Sequence, residues 1–471
     1  MKTNSILYIG AITFVATLGG LLFGYDTAVI SGTVGSLEEF FIVPRNLPLN
    51  EANSLLGFTV SSALIGCIIG GALSGIMALY FGRKKSLIVA ALFFLISAIG
   101  SAYPEIGFGK PGSMGNEVLF QFIIYRIIGG IGVGMASALS PMYIAEIAPA
   151  KIRGTLVSFN QFAIIFGMLV VYFVNYFIAK GQADEWINQT GWRWMFASET
   201  IPAGLFCLLL FFVPESPRYL VIRNNESKAL QVLSKITDTE RAKSVLNEIK
   251  ESLSFKSGKV TAYGITILVV GILLSVFQQF VGINVVLYYA PEIFKNMGSG
   301  TDTALLQTII VGAVNLIFTV VAIVTVDRFG RKPLLIIGAV AMAVAMFSLG
   351  TLFYTQNMGL GALLSMLFYI AGFAVSWGPV VWVMLSEIFP NKIRGKALSI
   401  AVAAQWISNY LVSWTFPMMD KSEFLIEKFH HGFAYWIYGV MGVLAAIFMW
   451  KMVPETKGKT LEEMGKLWKK N

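Results

Sequence analysis

The sequence predicts an all-α polytopic membrane protein of twelve transmembrane helices, arranged in two six-helix halves with cytoplasmic helices between them. Three observations carry this. Of 471 residues, 56% are hydrophobic and only 13% charged, whereas a soluble domain is about a quarter charged because its surface must stay wetted. The apolar residues fall into twelve long runs, and a helix of about 20 apolar residues crosses a bilayer. Short motifs at the ends of these runs recur once, in the same order, 240 to 248 residues later. In lipid each backbone polar group must bond within its own segment, so continuous apolar runs read as helices.

The first run, residues 6–32, is longer than the core of a secretory signal and holds Asp26, so it is read as span 1. Spans 2 and 3, at 55–80 and 87–104, flank the charged turn Phe81-Gly82-Arg83-Lys84. Span 4, at 118–145, carries Arg126 and the run Gly129-Gly130-Ile131-Gly132-Val133-Gly134. That run looks like a dinucleotide fingerprint, but it follows no strand, and close helix packing is expected instead. Span 5 (155–179) contains Gln161, and span 6 (194–213) contains Glu199.

Residues 214–261 are polar, with Leu230, Leu233, Ile236, Val245, Leu246, Ile249 and Leu253 spaced by threes and fours. This predicts short amphipathic helices on the inner membrane face. Span 7 (262–290) carries Gln278, Gln279, Asn284, Tyr288 and Tyr289, and span 8 (304–326) carries Asn315. Span 9 covers 333–353. Span 10 (359–386) contains Gly378-Pro379 and Trp382; a proline lacks the amide donor and weakens the helix there. Span 11 (397–417) holds Gln405 and Trp406, and span 12 covers 432–452. The expected organisation is therefore an N-terminal half 1–213, a helical linker 214–261, a C-terminal half 262–453 and a tail 454–471.

The repeats support two halves. Phe81-Gly82-Arg83-Lys84 returns as Phe329-Gly330-Arg331-Lys332; Glu146 with Lys151-Ile152-Arg153-Gly154 returns as Glu387 with Lys392-Ile393-Arg394-Gly395; Pro214-Glu215 returns as Pro454-Glu455. Three ordered matches, each at the same end of a span, indicate duplication.

The net charge of +9 raises the question of a nucleic-acid partner, which the placement of charge excludes. With both termini in the cytoplasm, 27 of the 35 Lys and Arg lie on the inner side, 7 on the outer side, and Arg126 within a span. Such an excess is the orientation signal of membrane insertion. Cys67 and Cys207 lie in spans as small packing residues, the two His are adjacent at 430 and 431, and no metal-ligand spacing or catalytic constellation appears. Neither a metal, an organic cofactor nor enzyme chemistry is expected.

Polar residues inside the spans are the functional candidates. A charge at the bilayer centre costs about 2.5–3.5 kcal/mol on the insertion scale. Asp26, Arg126 and Glu199 can share one low-dielectric core, where a carboxylate holds or releases a proton as its cationic partner leaves or approaches. The other reading is a permanent ion pair that fixes helix packing. The amides Gln161, Gln278, Gln279, Asn284, Asn315 and Gln405, with Tyr288, Trp382 and Trp406 nearby, offer donors, acceptors and aromatic faces suited to a sugar. Taken singly, each amide also serves as interhelical glue.

At this point a resemblance enters. Phe81-Gly82-Arg83-Lys84, Asp327-Arg328-Phe329-Gly330-Arg331, Pro214-Glu215-Ser216-Pro217-Arg218, Gln278-Gln279-Phe280-Val281-Gly282-Ile283-Asn284 and Pro454-Glu455-Thr456-Lys457-Gly458 are similar to the signature set of the sugar porter family in the major facilitator superfamily. The resemblance spans essentially the whole chain and implies the major facilitator fold. Tyr25-Asp26-Thr27-Ala28-Val29-Ile30-Ser31-Gly32, Ser158-Phe159-Asn160-Gln161-Phe162-Ala163 and Ser376-Trp377-Gly378-Pro379 resemble the family's proton-coupled bacterial branch. This implies symport of D-xylose with a proton, by alternating access, across a bacterial cytoplasmic (inner) membrane, by a monomer whose other partner is the lipid bilayer.

By that resemblance Asp26 matches the protonated carboxylate, Arg126 its partner and Glu199 their neighbour. Gln161, Gln278, Gln279, Asn284, Trp382 and Gln405 match sugar ligands, with Tyr288, Asn315, Gly378 and Trp406 completing the pocket. Arg83, Glu146, Arg153, Glu215, Arg218, Asp327, Arg331, Glu387, Arg394 and Glu455 match charge clusters that hold the halves together when the site faces outward. One departure is Leu79, which stands where the first-half motif usually carries an acid; the second half keeps Asp327. Two alternatives stay open: an uncoupled monosaccharide uniporter, and a proton symporter for glucose, galactose or arabinose. Facilitative glucose carriers of the family lack the span-1 acid, so Asp26 favours symport.

Overall fold

The computed structural model describes residues 3–110, 114–149, 152–253, 260–390 and 393–457. Most of the tail 454–471 lies outside these residues, as does the side chain of Asp327. Among the described residues the chain is helical, without a strand. Ten helical segments are long and apolar enough to cross a membrane. The other two of the twelve are span 6, which is interrupted, and span 11, Arg394–Asp420, whose polar residues lower its hydropathy.

Spans 1 to 5 are Thr3–Val29, Leu49–Tyr80, Arg83–Ala102, Leu119–Ile147 and Arg153–Ala179. Spans 8, 9 and 12 are Thr301–Phe329, Arg331–Tyr354 and Gly432–Met452. Spans 6, 7 and 10 are each broken, and in each the sequence supplies the cause. Span 6 divides into Trp192–Ala197 and Thr200–Leu210, because Pro202 has no N–H for the Ser198 carbonyl; Ile201 N–H donates to it instead, at 3.3 Å. Span 7 divides into Thr266–Phe280 and Ile283–Asn296 at Gly282, whose φ of 92° places it in the left-handed region. Tyr369 Oη donates to the freed Val281 carbonyl at 2.7 Å. Span 10 divides into Leu360–Val375 and Trp377–Ile388, since Pro379 leaves the Val375 carbonyl without its helical donor.

The glycine-rich run of span 4 is a packing surface. A Cβ on Gly130 would lie 1.8 Å from the Ala63 carbonyl oxygen, and one on Gly134 2.3 Å from that of Cys67. From the other side, a Cβ on Gly66 would meet the Ile127 oxygen at 2.0 Å. Spans 2 and 4 therefore touch backbone to backbone. In a membrane, where burial of apolar area gives helices no driving force, this close contact is what holds them.

The linker forms three helices, Pro217–Ile222, Glu226–Ile236 and Thr239–Leu253. Their apolar faces close on one another around Val221, Ala229, Leu233, Ala242 and Leu246, with Leu230, Val245 and Ile249 packed against them. Ser216 and Asn225 cap the first two through side-chain oxygens, as expected of such residues at helix starts.

The repeated motifs have one structural meaning. Gly82 and Gly330 start spans 3 and 9, both with φ of 88°, and each helix start binds a carboxylate from the end of its own half. Glu215 accepts from the backbone N–H of Arg83 at 2.9 Å and Lys84 at 3.2 Å; Glu455 accepts from Arg331 at 3.1 Å and Lys332 at 3.0 Å. The first N–H groups of a helix lack intrahelical partners and favour an anion. The duplication seen in the sequence is thus a duplicated capping device.

Candidate functional site

A cavity of about 760 Å³ lies between the halves. Gln161, Gln278, Gln279, Asn284, Tyr288, Asn315, Gly378, Trp382, Gln405 and Trp406, all singled out from the sequence, line it. The broken helices place several of them. The turn at Gly282 brings Asn284 beside Gln279, whose Oε1 accepts from Asn284 Nδ2 at 2.5 Å. Gln278 Nε2 donates to the carbonyls of Trp377 and Gly378, at 2.8 and 3.2 Å, where span 10 is interrupted.

Other cavity groups are left without a protein partner. Gln405 Oε1, Trp406 Nε1 and Asn160 Oδ1 are buried on residues that line the space, and none has a hydrogen-bond partner among the described residues. The ring of Phe23 lies 5.7 Å from that of Trp406 and extends the apolar wall. Phe23, Asn160 and Asn409 line the cavity but were not singled out from the sequence. Helical spacing could have found them: Asn160 adjoins Gln161, Asn409 lies one turn beyond Gln405, and Phe23 lies one turn from Thr27, which also lines the cavity.

Among the described residues the cavity lining reaches one face. Gly154, Thr155, Arg331 and Ser386 line it toward the Lys- and Arg-rich face. At the opposite face the halves are joined: Trp414 Nε1 donates to Ser54 O at 3.1 Å, Asn53 Nδ2 to Lys421 O at 3.1 Å and Thr301 Oγ1 to Asp184 Oδ1 at 3.0 Å. Lys421 also pairs with Glu38 across the same gap.

Behind the cavity wall, Asp26, Arg126 and Glu199 are almost completely buried. Arg126 Nη1 donates to Asp26 Oδ1 at 2.7 Å, and Nη2 to the Asp26 carbonyl at 3.3 Å. The guanidinium also lies over the Phe196 ring, 5.3 Å from its centroid. Glu199 stands in the break of span 6, against Asp26. Asp26 Oδ2, Arg126 Nε and both Glu199 oxygens have no hydrogen-bond partner among the described residues. Two carboxyls and one guanidinium thus share one buried core. Gly129 leaves them room, since a Cβ there would meet Ser97 Oγ at 2.3 Å and Asp26 Oδ1 at 3.3 Å.

Two ion pairs of the motif charges at the basic face each join residues of one half in this conformation. Arg83 pairs with Glu146 at 2.7 Å, and Ser216 Oγ donates to the other Glu146 oxygen. In mirror fashion Arg331 pairs with Glu387 at 2.8 Å, and Thr456 Oγ1 donates to Glu387 Oε2 at 2.6 Å. The two capping acids differ electrostatically. Burial pushes the Glu215 carboxyl up from its ordinary value despite its backbone donors. For Glu455 burial also pushes up, but the N–H groups of Lys457, Lys332, Arg331 and Thr456 together win and hold it below. Arg153 donates to the Ala148 carbonyl at 3.5 Å and Arg394 to that of Phe389 at 3.3 Å. Arg153 and Arg218 line a second, smaller hollow against the linker helices.

The family model "Sugar (and other) transporter" matches residues 12–468. The chain is 65% identical over 470 residues to the D-xylose-proton symporter of Escherichia coli K12, covering 98% of this chain and 96% of that one. Among solved structures it is similar to the inward-open conformation of the xylose transporter XylE from E. coli, with a TM-score of 0.89, 63% identity and coverage of 98% and 100%. It is also similar to the proton:xylose symporter XylE bound to 6-bromo-6-deoxy-D-glucose, with a TM-score of 0.84, 64% identity and coverage of 98% and 100%.

Proposed function

The chain belongs to the sugar transporter family, and on that premise we propose that it moves D-xylose together with a proton across a bacterial cytoplasmic membrane, by alternating access between its two halves. It is a transporter, not an enzyme. The basic face, and with it both termini, lies in the cytoplasm. The observation that carries the reading is the pairing of an amide-lined cavity between the halves with a buried acid–arginine pair directly behind its wall.

In this scheme a proton from outside neutralises Asp26, and Arg126 is freed to turn toward Glu199. Xylose binds among Gln161, Gln278, Gln279, Asn284, Asn315 and Gln405, with the indoles of Trp382 and Trp406 against its C–H surface. The halves then close outside and open inside. In this conformation the cavity reaches the basic face, and Asp26 is paired with Arg126. The contacts at the opposite face, each of about 0.5–1.5 kcal/mol, sum to the few kcal/mol that separate two alternating states. When the inner side closes, the motif clusters of the two halves are brought toward each other.

The direct test is a pH electrode in a weakly buffered suspension of proteoliposomes. Addition of D-xylose should alkalinise the external medium in step with sugar entry. Entry without alkalinisation would indicate a uniporter.

A further inference from the structure

We infer that Tyr25 and Ser198 are positioning residues for proton coupling: the bond between their hydroxyls clamps the break of span 6 to span 1 and keeps the Glu199 carboxyl beside that of Asp26. The inference rests on the proton-coupled reading and adds to it two residues that touch neither sugar nor proton.

Tyr25 Oη and Ser198 Oγ are 2.7 Å apart. Ser198 Oγ donates to the Met195 carbonyl at 2.6 Å, so its hydrogen is committed and the Tyr25 hydroxyl is the donor of the pair. Each residue directly precedes an acid, Asp26 in span 1 and Glu199 in span 6. The break makes this placement matter. At Glu199 the backbone turns by a tighter bond, its N–H reaching the Phe196 carbonyl at 3.2 Å, so the direction of the Glu199 side chain is set by local geometry and not by a continuous helix. Neither Glu199 oxygen has a donor of its own to hold it among the described residues. The clamp from Tyr25 supplies the missing constraint one residue away. In general, carboxyls held close together share a proton more readily than carboxyls held apart. Separated, they lose that advantage.

The test compares Tyr25→Phe and Ser198→Ala with the unmodified protein in the same proteoliposomes, measuring xylose counterflow and, separately, pH-gradient-driven uptake as external pH is varied. Counterflow, which needs no net proton movement, should stay within about threefold. The pH of half-maximal driven uptake should move acidward by about half a unit or more, equivalent to a threefold loss of proton affinity. Ser198→Thr, which keeps the hydroxyl, should restore the original midpoint. Variants that transport with an unmoved midpoint would overturn the inference. So would loss of counterflow in both variants without rescue by Ser198→Thr, which marks a merely structural role. Failure of the unmodified protein to accumulate sugar would instead remove the proton-coupled reading itself.

Discussion

Gly57 lies against the backbone of Trp414 so closely that a Cβ on it would stand 2.1 Å from the Trp414 carbonyl oxygen. Gly57 belongs to span 2 and Trp414 to span 11, so this contact joins the halves at the closed face. Replacing Gly57 by Leu should hold that face apart and leave the outward-facing state dominant. We expect transport to fall about tenfold or more, the equivalent of about 1.4 kcal/mol of bias. Hydrogen exchange should rise at the outer ends of spans 2 and 11. Normal transport by the Gly57→Leu variant would contradict the closure described here.

Gly82 and Gly330 share a backbone conformation but differ in crowding. A Cβ on Gly82 would meet Glu215 Oε2 at 2.3 Å, and one on Gly330 would meet Glu455 Oε2 at 3.0 Å. Gly82→Ala should therefore cost about 2 kcal/mol or more, and Gly330→Ala less. Thermal unfolding in detergent would rank the two, and equal losses would refute the difference.

The capping acids should respond unequally to neutralisation. Glu455 is held below its ordinary value by backbone donors, so its ionised form favours the fold. That contribution is present above the ordinary value of 4.5 and is lost as pH falls through the lowered one. Glu215 is pushed up by burial, so its ionised form is the costly one. At neutral pH Glu455→Gln should destabilise by up to about 1 kcal/mol after solvent screening, and Glu215→Gln should be close to neutral. Unfolding at two pH values would show whether the Glu455→Gln deficit disappears in acid.

His431 carries a pH dependence at the closed face. Its Nδ1 lies 3.0 Å from Asp420 Oδ1, and Asn296 donates to the other Asp420 oxygen at 3.0 Å. The bond to Asp420 raises His431 above its ordinary 6.5, against opposition from burial and Lys421. The charged imidazole thus stabilises the fold fully below 6.5, and the contribution fades as pH rises through the raised value. Melting temperature should decline over that alkaline range, by at most about 1 kcal/mol of stability, and His431→Gln should flatten the decline. An unchanged slope in the variant would exclude His431 as its source.

Much of this is legible in the sequence. The spans can be read because lipid demands continuous apolar helices, and the amides stand out because polar residues are rare in such runs. Pro379 announces the break in span 10. The break at Ser198 is equally written in Pro202, but a proline in the first turns of an apolar run reads as a helix start. Helix ends are less legible: span 2 begins at Leu49 and not at 55, and span 7 runs on to Asn296, because polar turns at the membrane surface continue a helix without adding to its hydropathy. Arg193 counts in the sequence only as an outer charge; it is in fact buried, bridged to Glu105 at 2.8 Å and lying over Trp192. Its partner is 88 residues away, and no local pattern joins them. Phe23, Asn160 and Asn409 follow by spacing only once Thr27, Gln161 and Gln405 are known to face the cavity, and that face is fixed by neighbouring helices.

The most direct measurement is uphill accumulation of D-xylose in energised vesicles by Asp26→Asn, which keeps the side-chain shape and removes the titrating group. Accumulation should vanish while sugar exchange persists, since Arg126 would no longer have a charge to exchange for a proton. Accumulation at the level of the unmodified protein would contradict the coupling role given to the Asp26–Arg126 pair.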